Sequence, residues 1–342
     1  MFKRIWLVLL LGCLVMAGGV LAAARPDNDA ALDWLRAAQQ ADGGFTNGFT
    51  EGSDLGATVE VLLAGVAADA PVGEGAALDY LRAQVEAGAV ADASSLSRVV
   101  MALAALGEDP RSFAGDDLVA ALLASQDAAT GQFGDSLFGH AYALLALHHA
   151  GATAPPDALA LLEAQRTTEG AWALFGEADA DAADTNTTAL AIQTLVALGR
   201  RDVAEGALPY LRRVQNADGG FPYQSPSDWG TDTDANSTAV VLQALLALDE
   251  PLDAWAVEGV TPLDALLALH DAESGGYLWQ AAVPGANVMA TAQAVQATEG
   301  LTLARLADAA ADVPSRPAWL PLGLGLLGGV LVGALWLKFR RR

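Results

Sequence analysis

The stretch LRAAQQADGGF at residues 35–45 decides the fold, because a near copy, LRRVQNADGGF, stands at residues 211–221. Three looser copies insert one residue before the glycine and keep the final aromatic residue; they span residues 122–133, 161–172 and 266–277. A degenerate copy begins at Leu81 and lacks the Gly–aromatic ending. Six related segments, which start 39 to 55 residues apart, predict one supersecondary unit repeated along the chain.

Each unit is predicted to form two helices of different character. Ahead of the motif glutamine, apolar residues fall three apart, as at Leu208, Leu211 and Val214, which indicates an amphipathic helix. The glycine then ends that helix, where a positive φ or a close approach is needed, and the glutamine is placed to satisfy exposed backbone groups. A second helix, such as residues 188–198, is apolar nearly all round. This alternation predicts an outer and an inner layer, and therefore an all-α (α/α)6 toroid of six helical hairpins.

The repeat resembles the Leu-x3-Gln-x3-Gly-x-Phe/Trp motif of squalene cyclases. Its setting is similar to protein prenyltransferase subunits and to cobalamin carriers of the transcobalamin kind. The resemblance covers residues 29–300 and implies the toroid fold. It implies little about activity, because a fold of this kind hosts unrelated chemistries.

Both ends of the chain predict an association with a membrane. Residues 1–24 have a basic start, an apolar run and a final Ala-Ala-Ala, which together predict a signal peptide. Residues 319–337 form an uncharged stretch of 19 residues, close to the ~20 that a transmembrane helix needs. The basic residues 338–342 then predict a cytoplasmic C-terminus. The protein is therefore expected to be single-pass in the cell membrane, with the toroid at residues 25–312 outside the cytoplasm and a short linker at residues 313–318.

Composition excludes several classes of function. Six of the 18 basic residues lie in the two end segments, which leaves 12 against 41 acidic residues, a balance of −29 for the exported part. A surface this acidic repels nucleic acid, so no nucleic-acid partner is expected. Cys13, the only cysteine, lies within the signal, so the toroid has no disulfide and no thiolate metal site. No metal or cofactor is expected, and the absence of a cysteine ligand disfavours a zinc-dependent prenyltransferase.

Acidic loops precede the inner helices of the fourth and fifth repeats. They hold Asp184 and Asn186 in one repeat, and Asp232, Asp234 and Asn236 in the next. Helix capping is the plain interpretation, because Asp and Asn accept hydrogen bonds from the free N–H groups of a helix start. The resemblance to cyclases implies another role, in which Asp234 is the proton-donating acid of an Asp-x-Asp-Asp motif, with Asp232 beside it. Ala235 stands where that motif has its last Asp.

Four aromatic residues outside the repeat motif are further candidates for ligand binding. They are Phe175, Tyr223, Trp229 and Trp279. With the acidic-loop residues Asp184, Asn186 and Asn236, they are predicted to rim the mouth of the toroid and to hold an apolar or sugar-like ligand. His140, near the start of an inner helix, is predicted to face the same cavity.

These observations favour a membrane-anchored binding or scaffold protein without catalysis. Its partners are predicted to be the lipid bilayer, through residues 319–337, and an unknown small molecule or surface protein. The alternative is a terpenoid-cyclase-like enzyme with Asp234 as its general acid. A catalytic pair beside a deep aromatic cavity favours the enzyme, and a shallow or Ala/Leu-filled centre favours the scaffold.

Overall fold

The computed structural model describes residues 28–228 and 230–306, and across those ranges the chain is helical, with isolated β-bridges and no β-strand. The inner helices are α2 (Leu55–Ala67), α4 (Ala93–Leu106), α6 (Leu137–His149), α8 (Thr185–Ala197), α11 (Ala235–Ala247) and α13 (Val288–Thr298). The outer helices are α1 (Asp29–Ala38), α3 (Glu74–Glu86), α5 (Leu118–Ala124), α7 (Pro156–Ala164), α9 (Arg201–Glu205), α10 (Leu208–Val214) and α12 (Pro262–Leu267).

The inner helices close into a ring. Contacts run from α2 through α4, α6, α8 and α11 to α13, and α13 packs against α2, so the first and last repeats meet. The outer helices α3, α5, α7, α9 and α12 each pack on the inner helix that precedes them, and α1 packs on α13. The chain is therefore an α/α toroid, as the repeats predict.

The inner helices are buried because their sequences leave no polar face. In α6, every residue from Gly139 to Leu147 is buried. Each inner helix begins at a residue whose side chain accepts a hydrogen bond from a backbone N–H of the first turn; these caps are Asp54, Asp92, Ser136, Asp184, Asp234 and Asn287. The capping role predicted for Asp184 and Asp234 is thereby confirmed.

The motif glutamine satisfies backbone groups, as predicted. Gln39 Nε2 donates to the carbonyl oxygens of Gly43 at 2.8 Å and of Gly73, ahead of the next outer helix, at 2.9 Å. His270, which replaces the glutamine in the last repeat, places Nε2 3.0 Å from the carbonyl oxygen of Gly275. In the fourth repeat the fully buried leucine is Leu162 rather than the predicted anchor Leu161, a shift of one residue.

The motif glycines are the points where neighbouring repeats touch. Gly43 has a φ of +89°, and a Cβ built on it would lie 2.1 Å from the carbonyl oxygen of Ala76 in α3. At Gly275 the equivalent Cβ would lie 3.0 Å from the carbonyl oxygen of Ala30 in α1. The contact at Gly275 joins the last repeat to the first, so the same residue type that links consecutive repeats also closes the ring.

Both ends of the described chain lie at the face where the inner helices end. The side chain of Asn28 donates to Thr298 Oγ1 at 2.9 Å, in the last turn of α13, and to Glu299 Oε1 at 2.7 Å, directly after it. His149, the last residue of α6, places Nε2 2.6 Å from the carbonyl oxygen of Leu303. The capped starts of the inner helices therefore lie at the opposite face, called the mouth below.

The predicted signal peptide, linker, transmembrane helix and basic tail lie outside the described residues, as do the outermost parts of the predicted toroid range 25–312. Within residues 28–228 and 230–306, no helix is both long enough and apolar enough to cross a bilayer.

Candidate functional site

A cavity of about 320 Å³ opens at the mouth. Its apolar wall is formed by Phe49, Phe138, Tyr223, Trp279 and Met289. Its polar and charged lining consists of Glu60, Arg98, Asn186, Asp234, Asn236, Ser237 and Gln293. The rings of Phe49 and Trp279 meet edge to face, with centroids 6.2 Å apart, across the seam between first and last repeats. An apolar wall with a few convergent polar groups is typical of a small-molecule site, and this volume is at the small end of the usual ~300–1,000 Å³.

Five of the residues predicted from sequence line this cavity. They are Asn186, Tyr223, Asp234, Asn236 and Trp279. Asp232 instead lines a separate surface groove, Phe175 is 67% exposed outside the cavity, and Asp184 is buried without lining it. Trp229 lies outside the described residues. The loops of the last two repeats therefore supply one side of the cavity.

His140 does not face the cavity, and the structure corrects that prediction. The residue is fully buried; Nδ1 accepts from the N–H of Phe133 at 3.0 Å, and Nε2 lies 2.9 Å from the carbonyl oxygen of Ala158. In other repeats a threonine hydroxyl takes the place of Nδ1, as Thr58 does for Phe45 at 2.9 Å. Burial lowers the pKa of His140, so its role is to hold the motif aromatic in the core.

Asp184 and Asp234 are equivalent buried caps. Burial raises the pKa of each carboxyl from 3.8 to about 6, against hydrogen bonds from Thr187 and Ser237 that lower it. Oδ1 of Asp184 accepts from the N–H of Thr187 at 2.7 Å, and Oδ2 has no hydrogen-bond partner in the described part of the chain. Ser237 donates to both oxygens of Asp234, through its N–H at 2.7 Å and its hydroxyl at 2.8 Å. Because Asp184 shows the same shift without lining the cavity, the raised pKa follows from burial of a cap.

These two caps predict a pH-dependent stability. A carboxyl with a higher pKa in the folded chain contributes stability at low pH, which is lost as the pH rises from about 4 to about 6. The shift corresponds to on the order of 2–3 kcal/mol for each carboxyl. We expect Asp184→Asn to raise the free energy of unfolding at about pH 7.5 and to flatten its pH dependence, because Asn keeps the cap without a buried charge. Urea unfolding at about pH 4.5 and about pH 7.5 measures both.

Asp92→Asn is a control variant for which we expect the opposite change in stability. Asp92 caps α4 at an exposed position, where burial raises its pKa less than hydrogen bonds from Ser95 and Ser94 lower it. Asp92→Asn should therefore lose stability at neutral pH. If Asp184→Asn and the parent give parallel pH profiles, burial of Asp184 does not control the pH dependence.

The floor of the cavity was not predicted from the sequence. Six residues after their caps, the inner helices α2, α4 and α6 place Glu60, Arg98 and Tyr142 toward the barrel axis. Nine residues after their caps, α8, α11 and α13 place Gln193, Gln243 and Gln296 there. Each inner helix thus carries a polar residue into the barrel at one of these two distances, and α13 carries Gln293 as well. The available signal was a polar residue at a repeated distance from the cap in largely apolar helices.

The glutamines form a chain of hydrogen bonds below the floor. Gln296 Nε2 donates to Glu60 Oε2 at 2.8 Å and to the Glu60 carbonyl oxygen at 2.9 Å. Gln243 donates to Gln296 at 3.3 Å, and Gln193 Oε1 accepts from the N–H of Leu303 at 2.8 Å. Only a narrow space of about 20 Å³ remains between these groups. The side chains of the described residues therefore fill the barrel where these groups meet, beneath the mouth cavity.

Comparisons with known proteins identify the fold. No protein-family model and no curated protein matches the sequence. Among solved structures, the type II terpene cyclase MstE from Scytonema matches with a TM-score of 0.61 at 14% identity, over 80% of this chain and 96% of that one. A protein from Actinoplanes matches with a TM-score of 0.56 at 16% identity, over 82% of this chain and 98% of that one. Unsaturated glucuronyl hydrolase from Bacillus sp. GL1 matches with a TM-score of 0.55 at 12% identity, over 81% of this chain and 95% of that one. Likenesses this distant show the α/α toroid fold and carry no activity with them.

Proposed function

We propose that the chain is an extracytoplasmic binding protein, tethered to the membrane by its C-terminal segment, and that the mouth of its toroid takes up a small molecule. The observation that carries the proposal is the mouth cavity, where aromatic side chains from the loops face amide and charged groups on five inner helices. The polar chain beneath it leaves no room for a long ligand to pass deeper into the barrel. A compact ligand held at the mouth fits this arrangement best.

The position of the two ends of the described part of the chain supports this proposal. Asn28 and Leu303 lie at the face opposite the mouth. A tether that leaves from this face points the cavity away from the bilayer. A ligand from outside the membrane then has direct access, whereas one dissolved in the bilayer does not.

Native mass spectrometry on the full chain, purified in detergent from a membrane extract, tests this proposal. We expect a retained small molecule that survives chelator and is lost in Trp279→Ala, because Trp279 forms the wall of the cavity. Phe175→Ala is the matched control, since it removes an exposed aromatic ring outside the cavity. A clean apo mass together with no binding of added small molecules would leave a protein-facing scaffold role instead. Removal of residues 319–342 should release the toroid from the membrane fraction; if it stays bound, the proposed tether is wrong.

A terpenoid-cyclase-like activity is the second candidate. MstE takes geranylgeranyl dihydroxybenzoate as its substrate, and here Asp234 lines the cavity with its pKa raised to about 6. However, both Asp234 oxygens accept hydrogen bonds from Ser237, and Asp184 has the same pKa without reaching the cavity. Conversion of a polyprenyl substrate by the parent, and its loss in Asp234→Asn, would establish this candidate over the first.

A further inference from the structure

The floor of the mouth cavity holds hydrogen-bond donors that are not used. Within the described chain, the guanidinium of Arg98 makes no hydrogen bond; its ion-pair partner is Glu60 Oε1, at 4.0 Å. The side chain is only 23% exposed and lies over the ring of Tyr142, 5.3 Å from the centroid. A Cβ at Gly56 would lie 3.1 Å from Arg98 Nη1, so glycine at this position leaves room for the guanidinium. The cavity therefore presents N–H groups that a ligand can use.

Unused acceptors lie in this cavity and in the narrow space beneath it. Asn186 Oδ1 is buried and has no hydrogen-bond partner among the described residues, although the residue lines the cavity. The Tyr142 hydroxyl, in the narrow space beneath, is likewise buried without a partner there. Glu60 Oε1 has only the loose contact with Arg98. A buried polar group without a partner is costly, so a ligand that both donates and accepts gains from the groups that line the cavity, Asn186 and Glu60.

The charges in and around the cavity limit the class of ligand that it can bind. Glu60 and Arg98 offset each other on the floor, so an anionic ligand would be left without a net opposing charge beside Asp234. The acidic surface, with a balance of −29 for the exported part, disfavours an anion further. An isoprenoid chain has no groups that satisfy Arg98 or Asn186. Hydroxyl groups donate and accept without carrying charge, and the rings of Tyr223 and Trp279 can cover an apolar face.

We propose that the mouth cavity binds a neutral pyranose sugar, either free or as the terminal residue of a glycan. One ring hydroxyl accepts from Arg98 and donates to Glu60, whose nearest atoms are 4.0 Å apart, a gap that one oxygen bridges at about 2.9 Å from each. A neighbouring hydroxyl bonds with the side-chain amide of Asn186, and the C–H face of the ring lies against Trp279. This assignment rests on the proposed small-molecule role of the cavity and adds the class of ligand.

Ligand-observed NMR titration of the full chain in detergent micelles tests the assignment. The probes are the methyl pyranosides of glucose, galactose, mannose and N-acetylglucosamine, each with its linear tetrasaccharide, and geranylgeraniol as an apolar comparison. We expect saturable binding of at least one sugar and its weakening by at least about tenfold in Arg98→Met, since a charged donor is lost. Asn186→Ala, which leaves the ion pair intact, should weaken the same sugar. Arg82→Met is the matched control, because Arg82 also covers an aromatic ring, that of Phe113, but lies in the outer helix α3.

The outcomes separate the two proposals. Tighter binding of a tetrasaccharide than of its monosaccharide supports a glycan end as the source, and equal binding supports a free sugar. If no sugar binds saturably, or if Arg98→Met and Asn186→Ala both bind like the parent, the sugar assignment is overturned. If geranylgeraniol then binds in a way that depends on Trp279, the cavity remains a small-molecule binding site. If geranylgeraniol does not bind either, both proposals are wrong.

Discussion

Gly43→Ala should destabilise the toroid by about 2–5 kcal/mol, the largest effect that we expect from a single methyl group. Two costs add together. A left-handed backbone costs a residue with a Cβ about 1–2 kcal/mol, and Gly43 has a φ of +89°. The new methyl carbon would also lie 2.1 Å from the carbonyl oxygen of Ala76, so α3 must move away from the first repeat. Overpacking of this kind typically costs about 1–3 kcal/mol.

A substitution at Gly52 measures the cost of the left-handed backbone without the cost of the close contact. Gly52 lies in the same repeat at a φ of +84°, and a Cβ there would meet nothing within 4 Å. Gly52→Ala should therefore cost only the backbone term, about 1–2 kcal/mol. The free energy of unfolding in urea measures both variants. Equal losses would mean that the close approach of Gly43 to the next repeat contributes nothing to stability.

The second large effect is expected at Gln296, in the polar chain beneath the cavity. Gln296→Met keeps the volume but removes both donors to Glu60 and the acceptor for Gln243. These groups are buried, so their lost partners should cost about 2–4 kcal/mol. The exposed Gln40, whose amide bonds only to the carbonyl oxygen of Ala38, is the control, and Gln40→Met should stay within about 0.5 kcal/mol of the parent.

A double-mutant cycle identifies the partner. In Glu60→Met/Gln296→Met the carboxylate is removed together with the amide, so the loss should be smaller than the sum of the two single losses, with a coupling of about 1–3 kcal/mol. Additive losses would show that the Gln296–Glu60 hydrogen bond does not explain the destabilisation.

The sequence predicts the hairpin repeats because their signals are local. The spacing from leucine to glutamine to glycine places a helix end, a bond across the loop and a positive φ within eleven residues, as at residues 35–45. The signals that predict Asp184 and Asp234 as helix caps are equally local. The cavity lining from the loops, Tyr223 and Trp279, was found because aromatic residues outside the motif stand out in a repeat.

The floor of the cavity could not be placed with the same reasoning. The inner helices are apolar nearly all round, so no amphipathic stripe indicates which side faces the barrel axis. That direction is set only when six helices pack in a ring, and Glu60 and Arg98 then converge although they belong to different repeats. His140 was misplaced for the opposite reason, since its bond to Phe133 within one repeat keeps it in the core.

The contact between Gly275 and Ala30 gives this chain a property that an open helical solenoid lacks. A solenoid needs polar terminal units to cover its exposed ends, and it gains or loses units without changing the others. Here every unit covers its neighbour and the last covers the first, so there is no terminal unit to modify. Deletion or duplication of one hairpin would change the curvature at every junction. The chain is therefore expected to tolerate circular permutation, with new ends in an outer loop, far better than any change in the number of its hairpins.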